Sequence, residues 1–296
     1  MTNSEFKKVA REHQIRYREE NIGTGYNKYT TWLTDEDAKI GKNFCDGFSI
    51  FQEVKKRYPN FKVGLYSDML RSEHIPFNLF VPFRYDLNFC KNVFNEFLGG
   101  CIKSVDEKSI LDNNENIKIE FAPSPKGNYL NDSTSFDSYI EYTHHDNSKG
   151  IIGVEVKYTE KEYPLKKGSR QDININDNAS NYYKVSELCE LYDSKSYDNL
   201  KKDLYRQIWR NQLLAESICL VHKDKIKYSS SMIFYPDGNE HFTETGNNYI
   251  AMLKNNENKL VLVTYEKFLS ACKKHCPDKK FKTWIDYLAK RYIPII

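Results

Sequence analysis

Apolar positions along the 296-residue chain recur first at helical spacing, then alternate, then return to helical spacing. Phe6, Val9 and Ala10, followed by His13 and Tyr17, predict a charged helix over residues 4–20. Residues 21–29 read as a glycine-containing loop, and Thr34 with Asp37 three residues on reads as a helix start. A helix around 44–58 ends before Pro59, and residues 65–74 read as another, stopped by Pro76. In the middle of the chain, 117–121 (IKIEF), 135–143 (SFDSYIEYT) and 150–159 (GIIGVEVKYT) alternate and are rich in β-branched and aromatic residues, which predicts strands. The turn formers HHDNSKG separate the last two, and QDININDNASN further on reads as a polar loop. A long helix is expected at about 198–220, with a stripe of Leu204, Ile208, Ala215 and Ile218. Residues 228–235, stopped by Pro236-Asp237-Gly238, and 260–264 read as strands, and the rest as helix ending near Pro294. This order predicts an α/β fold: a central mixed β-sheet flanked by helices, with a helical N-terminal portion at 1–64 packed on a core at 65–296.

Composition narrows the function classes. The mean hydropathy of −0.71 marks a polar chain, yet 14% aromatic residues supply enough apolar area for a core and argue against disorder. A net charge of +3 is far from that of a coat-like or histone-like nucleic-acid binder and leaves only a localised groove. No apolar run approaches the ~20 residues of a membrane span. The first residues, MTNSEFKKVAREH, lack an apolar signal region. The seven scattered cysteines are then expected to be reduced thiols in a cytoplasmic protein.

The densest chemistry lies in residues 136–160. On the second strand, Gly153, Glu155 and Lys157 share a face, opposite Ile152, Val154, Val156 and Tyr158. On the first, Asp137, Tyr139 and Glu141 share a face. A turn centred on Asn147 would place Asp137 opposite Lys157 and Tyr139 opposite Glu155, with Asp137 and Glu155 as diagonal neighbours. Two carboxylates and an ammonium on one face can hold Mg²⁺, with the Val156 carbonyl as a further ligand, while Lys157 orients or deprotonates a metal-bound water. The plainer reading is an exposed strand with an ordinary Glu–Lys pair. Glu73, on the helix before the strands, can approach the same site or remain a solvated helix end. In the 198–220 helix, Asn211 falls inside the apolar stripe and Gln207 flanks it, while Arg206 and Arg210 lie one turn apart on the polar side, placed for phosphates.

Together these residues give the chain a resemblance to the PD-(D/E)XK nuclease superfamily, the restriction-endonuclease-like fold, and to a largely uncharacterised bacterial branch of it. The stretches that carry it are RSEHIPFNLF (71–80), YLNDSTSFDSYIEY (129–142), GVEVKYTEKEY (153–163), YRQIWRNQLLAES (205–217) and TYEKF (264–268). The resemblance puts the motif aspartate on Asp137, the E-x-K pair on Glu155 and Lys157, the first-helix acid on Glu73 and the later glutamine on Gln207. Phe136 stands where the motif has proline. The resemblance implies hydrolysis of phosphodiester bonds with Mg²⁺ or Mn²⁺ but does not itself choose DNA over RNA; the leading reading is a DNA endonuclease of restriction or phage defence. Nucleic acid is then the partner, DNA ahead of RNA, with room for a homodimer or a partner from a defence system. The competing readings are a catalytically silent nucleic-acid-binding module of the same fold and an interaction domain of a larger defence system.

Lys161, Lys166, Lys167 and Arg170 follow the E-x-K strand, with Tyr158, Tyr163, Tyr182 and Tyr183 interleaved, a pattern suited to phosphates and bases or to a solvated face. The C-terminal lysines 273, 274, 279, 280 and 282 form a second basic run. Cys272, His275 and Cys276 have ligand-like types but no second pair at zinc-finger spacing, and the His144-His145-Asp146 run is expected to be solvated.

Overall fold

The structure is a computed structural model that describes residues 1–162 and 164–294. Its centre is a six-stranded mixed sheet built from β1 (Ile102–Ser104), β2 (Lys118–Phe121), β3 (Phe136–His144), β4 (Lys149–Val156), β5 (Ile226–Tyr235) and β6 (Leu260–Thr264). The order runs β1-β3-β4-β5-β6, and β2 also pairs with β3. β3 meets β4 antiparallel, whereas β4, β5 and β6 are parallel neighbours. The expected central mixed sheet with flanking helices is thus present.

Both faces of the sheet are covered, so the inner strands are buried on each side. Ile140, Ile152, Val154, Val156, Phe234 and Val263 join a core with the Asn3–Asn21 helix and the helices after β6, Tyr265–Lys274 and Lys279–Tyr292. Tyr139, Ile151, Ile233 and Tyr235 join a second core beneath the Arg206–Val221 helix, with Trp209, Leu213 and Ala215. Glu155 belongs by parity to the second face.

The β3–β4 turn departs from the expected register. Thr143 pairs with Lys149 and Ser138 with Val154, so the hairpin is centred on Asp146 and the pairing is shifted by two residues. The shift comes from a three-residue loop with Asn147 in the left-handed region at φ 66°, closed by the Asn147 N–H to the His144 carbonyl at 2.9 Å. An even shift leaves every side chain on its expected face.

Three further expectations change. Pro76 does not stop a helix. It sits in the first turn of Ile75–Phe80, where its missing N–H is no loss, and residues 65–74 divide between Val63–Ser67 and a 3₁₀ turn at Ser72–His74. Arg170–Asn176, expected as loop, is a helix because the Ser169 hydroxyl accepts from the Asp172 N–H. The long helix starts at Arg206 rather than near 198, because the Lys202 carbonyl accepts from both Tyr205 and Arg206 and closes a turn there.

Gly153 opens room on the second face. A Cβ there would sit 2.3 Å from the buried Phe136 ring, which has no space to retreat. Gly153→Ala is expected to lower unfolding free energy by about 1–3 kcal/mol through overpacking, measured by urea denaturation. An unchanged midpoint would show that the ring is not confined.

Candidate active site

Three acids lie abreast on three adjacent strands. Asp137 lies one step beyond the Ser138–Val154 pair, which sets it beside Glu155 across β3 and β4. On the other side of β3, Glu120 falls between the Ile119–Ser138 and Phe121–Phe136 pairs, which sets it beside Asp137. Glu120 holds a φ of 55°, a conformation that costs a non-glycine residue about 1 kcal/mol and turns the β2 chain at this point. Asp137 Oδ2 accepts from the Val156 N–H at 2.6 Å, so a side chain takes over the ladder where β3 begins.

Glu155 is held from three sides. Its Oε1 accepts from Lys157 Nζ at 2.7 Å and from Gln207 Nε2 at 2.5 Å, and its Oε2 accepts from Asn211 Nδ2. Lys157 Nζ also donates to Gln207 Oε1 at 2.7 Å. Gln207 and Asn211 are one turn apart on the Arg206–Val221 helix, so both amides point down onto the strand end. The Lys157 main chain is fixed as well: its N–H donates to the Phe234 carbonyl at 2.8 Å, and its carbonyl accepts from the Tyr265 hydroxyl at 2.7 Å. Just beyond, the Glu160 carboxylate accepts from the N–H groups of Ser72, Tyr158 and Thr159 and ties this strand end to the start of the 72–80 segment.

The electrostatics separate these groups. Burial, then the charges of Glu155 and Glu120, hold the Asp137 carboxyl well above its ordinary value. Burial and Glu155 push Glu120 up to about 7, with Arg57 and Lys62 pulling the other way. Burial opposes the charge on Lys157, but Glu155 and Glu160 outweigh it and raise its pKa, so Lys157 is an ammonium at neutral pH. Of its two expected roles, orientation and charge stabilisation fit this state, and proton abstraction does not.

The donor chemistry fits a hard divalent cation. Asp137 and Glu155 are adjacent carboxylates, and Mg²⁺ is held by one or two carboxylates with waters and substrate oxygens completing its shell. Two like charges forced together in a buried place raise the Asp137 pKa, and a cation between them would relieve that repulsion. Among the described residues, no group of three or more His, Cys, Asp or Glu is arranged to ligate a metal, so a dedicated all-protein cage is not the geometry here.

Other sequence-predicted residues fall elsewhere. Glu73 is half-exposed and paired with Arg71 at 2.9 Å, near enough to Glu120 to raise its pKa but outside the Glu155 network. Arg206 pairs with Asp203 at 2.5 Å. Arg210 is not on an exposed polar face: it is 4% exposed and donates to Thr134 Oγ1 at 2.8 Å and to the Tyr182 hydroxyl at 3.0 Å. The reason is that the Arg206–Val221 helix packs on the sheet on one side and on Asn181–Leu188 on the other, so it has no broad polar face. Tyr158, Tyr182 and Tyr183 are core residues, which removes them as base-stacking groups, and Tyr163 lies outside the described residues. Lys161, Lys166, Lys167 and Arg170 are exposed, and Lys161 lines a cleft with Glu155, Lys157, Gln207 and Asn211. His275 pairs with Glu96 at 2.8 Å and Cys272 is buried. The acid that the sequence reading missed is Glu120. Its signal was a polar position in the alternating IKIEF strand, but residues 122–135 separate it from its partner strand and hide the pairing.

A model of the PD-(D/E)XK nuclease superfamily matches residues 1–294, essentially the whole chain. No curated protein and no solved structure matches it significantly. Members of that superfamily are typically nucleases and generally use divalent metals.

The raised acids give a stability profile with a definite sign. The folded protein keeps protons on Asp137 and Glu120 at pH values where the unfolded chain, with pKa near ~4, has released them. Folding stability therefore falls as pH rises from ~4 through about 7, the folded value of Glu120. In EDTA this pair is expected to contribute a drop of about 1–3 kcal/mol. Glu120→Gln and Asp137→Asn should each flatten it in urea titrations between pH 4.5 and 8. A wild-type slope in both variants would refute the coupling.

Proposed function

Because the chain belongs to the PD-(D/E)XK nuclease superfamily, we propose that it is a metal-dependent nuclease that cleaves DNA internally in restriction or phage defence. The observation that carries this reading is the Glu155–Lys157–Gln207–Asn211 network set beside Asp137 at the end of two paired strands. The arrangement holds two carboxylates and one cation with little rotamer freedom, which is what orienting a water against a phosphate requires. A Mg²⁺ or Mn²⁺ held by Asp137 and Glu155, with the Val156 carbonyl, would supply Lewis-acid stabilisation of the developing charge.

The chain's own residues do the positioning. Lys157 keeps its proton, donates to the attacking water or a phosphate oxygen, and offsets negative charge as the phosphate becomes more crowded. Gln207 bridges Lys157 and Glu155 and fixes the direction of the ammonium. Asn211 locks the second oxygen of Glu155, so that carboxylate presents one defined orientation. Glu73 pairs with Arg71 and acts on Glu120 through its charge, outside the Glu155 network. Lys161 at the cleft, and the exposed Lys166, Lys167 and Arg170 that follow it in the chain, take phosphates flanking the scissile one.

The test is incubation with circular duplex DNA, single-stranded DNA and RNA in Mg²⁺, Mn²⁺ or EDTA. Cleavage of a circle establishes internal cutting, and binding in EDTA without cleavage in metal would favour the silent module. Asp137→Ala, Glu155→Ala and Lys157→Ala are each expected to slow cleavage by ~10²–10³ while nucleic-acid binding survives, because Lys and Arg contacts dominate affinity. Wild-type cleavage by Lys157→Ala and Glu155→Ala would make this mechanism wrong.

A further inference from the structure

A second basic surface adjoins the acid row, on the N-terminal side of the molecule. The last turn of the Ile50–Arg57 helix carries Lys55, Lys56 and Arg57, and Lys62 follows after Pro59. All four are exposed. Arg57 Nη2 donates to the main-chain carbonyl of Glu120 at 3.4 Å. Lys56, Arg57 and Glu120 line the same groove, together with Phe77 and Phe121 and with the mixed charges of Glu53, Asp112, Glu115, Arg84 and Lys118.

Tyr58 organises this surface. Its ring meets Phe77 edge-on at 6.3 Å, which anchors it to the core. Over that ring lie the Lys62 ammonium at 3.9 Å and the Arg57 guanidinium at 5.1 Å. Both cations are thereby held on one ring, with Arg57 bonded to the Glu120 main chain and Lys62 close enough for its charge to act on the Glu120 carboxyl, which lies abreast of Asp137. The Tyr58 hydroxyl is raised to a strongly protonated state by burial and by the charges of Glu120, Glu73 and Asp137, which places it in the field of the acid row.

An anionic strand has to approach the acid row to be cut, and each carboxyl there that has released its proton repels it, so cations close to the row favour its entry. We propose that Arg57 and Lys62, with Lys55 and Lys56 behind them, hold the phosphate backbone of the nucleic-acid strand that enters the site alongside Glu120. This rests on the nuclease reading and adds a binding wall made by the segment before residue 64.

The test is fluorescence anisotropy with labelled duplex and single-stranded DNA in EDTA over a salt series. The double variant Arg57→Gln/Lys62→Gln removes two cations from the wall. Lys223→Gln/Lys225→Gln removes two exposed cations from the turn before β5, at the opposite end of the sheet from Glu155. The wall variant is expected to bind more weakly and to lose about 2 from the log–log salt slope, one per phosphate contact, with the control unchanged and both unfolding thermally like wild type. If the wall variant fails to fold, Lys55→Gln/Lys56→Gln carries the same comparison. Wild-type affinity and slope in the wall variant, with wild type still cleaving, would overturn the wall and leave the nuclease reading standing. Absence of both binding and cleavage in wild type would overturn both.

Discussion

Burying a carboxylate at the end of an inner strand is the constraint from which the rest of the site follows. β4 is flanked by β3 and β5 and covered on both faces, so Glu155 has little water to solvate it. A charge in such a place costs several kcal/mol unless donors surround it. Lys157, Gln207 and Asn211 are those donors, and two of them come from one helix. That requirement bears on which face the Arg206–Val221 helix turns to the sheet. The apolar stripe brings the helix down, while the amides at 207 and 211 fix its rotation and height over the strand end. A helix anchored through apolar contacts alone could slide by fractions of an ångström. One anchored through two amides to a single carboxylate cannot without losing a bond, and this rigidity is what a reaction at a phosphate exploits.

How much of this the sequence discloses follows from where each signal resides. Strand parity is local, so the face shared by Glu155 and Lys157 is readable from alternation alone. Which residues stand abreast depends on one backbone angle at Asn147, and the two-residue shift of the hairpin is invisible to alternation. Asn211 was ambiguous because an amide inside an apolar stripe serves equally as a core group or a site group until its partner is known. Arg210 was misplaced for a related reason. A helical wheel assumes one covered face, whereas packing by Asn181–Leu188 covers the other and turns a surface arginine into a core one bonded to Thr134 and Tyr182. Glu120 required knowing that β2 pairs with the start of β3.

The acid row works against the fold that contains it. Asp137 and Glu120 both sit above their ordinary pKa, so at neutral pH the folded state holds charges, or retains protons, that the unfolded chain would not. Such arrangements, like the left-handed φ at Glu120, persist only when the surroundings over-determine them, and here three antiparallel and parallel ladders and the Asp137–Val156 bond do so.

That tension also explains the division of labour among the cations. Lys157 is inside the network and serves Glu155, and its ammonium is committed by geometry to one place. Arg57 and Lys62 are outside, stacked on Tyr58, and act on Glu120 through the field while remaining exposed to solvent. A buried cation can stabilise charge that develops during a reaction, because it is desolvated and fixed, but it cannot recruit a strand from solution. Exposed cations attract a strand over a Debye length of about 10 Å yet contribute little to a specific transition state. On the proposed nuclease reading the two tasks fall to different cations, Lys157 inside the Glu155 network and Arg57 and Lys62 on the Tyr58 ring, because burial and exposure suit them to different parts.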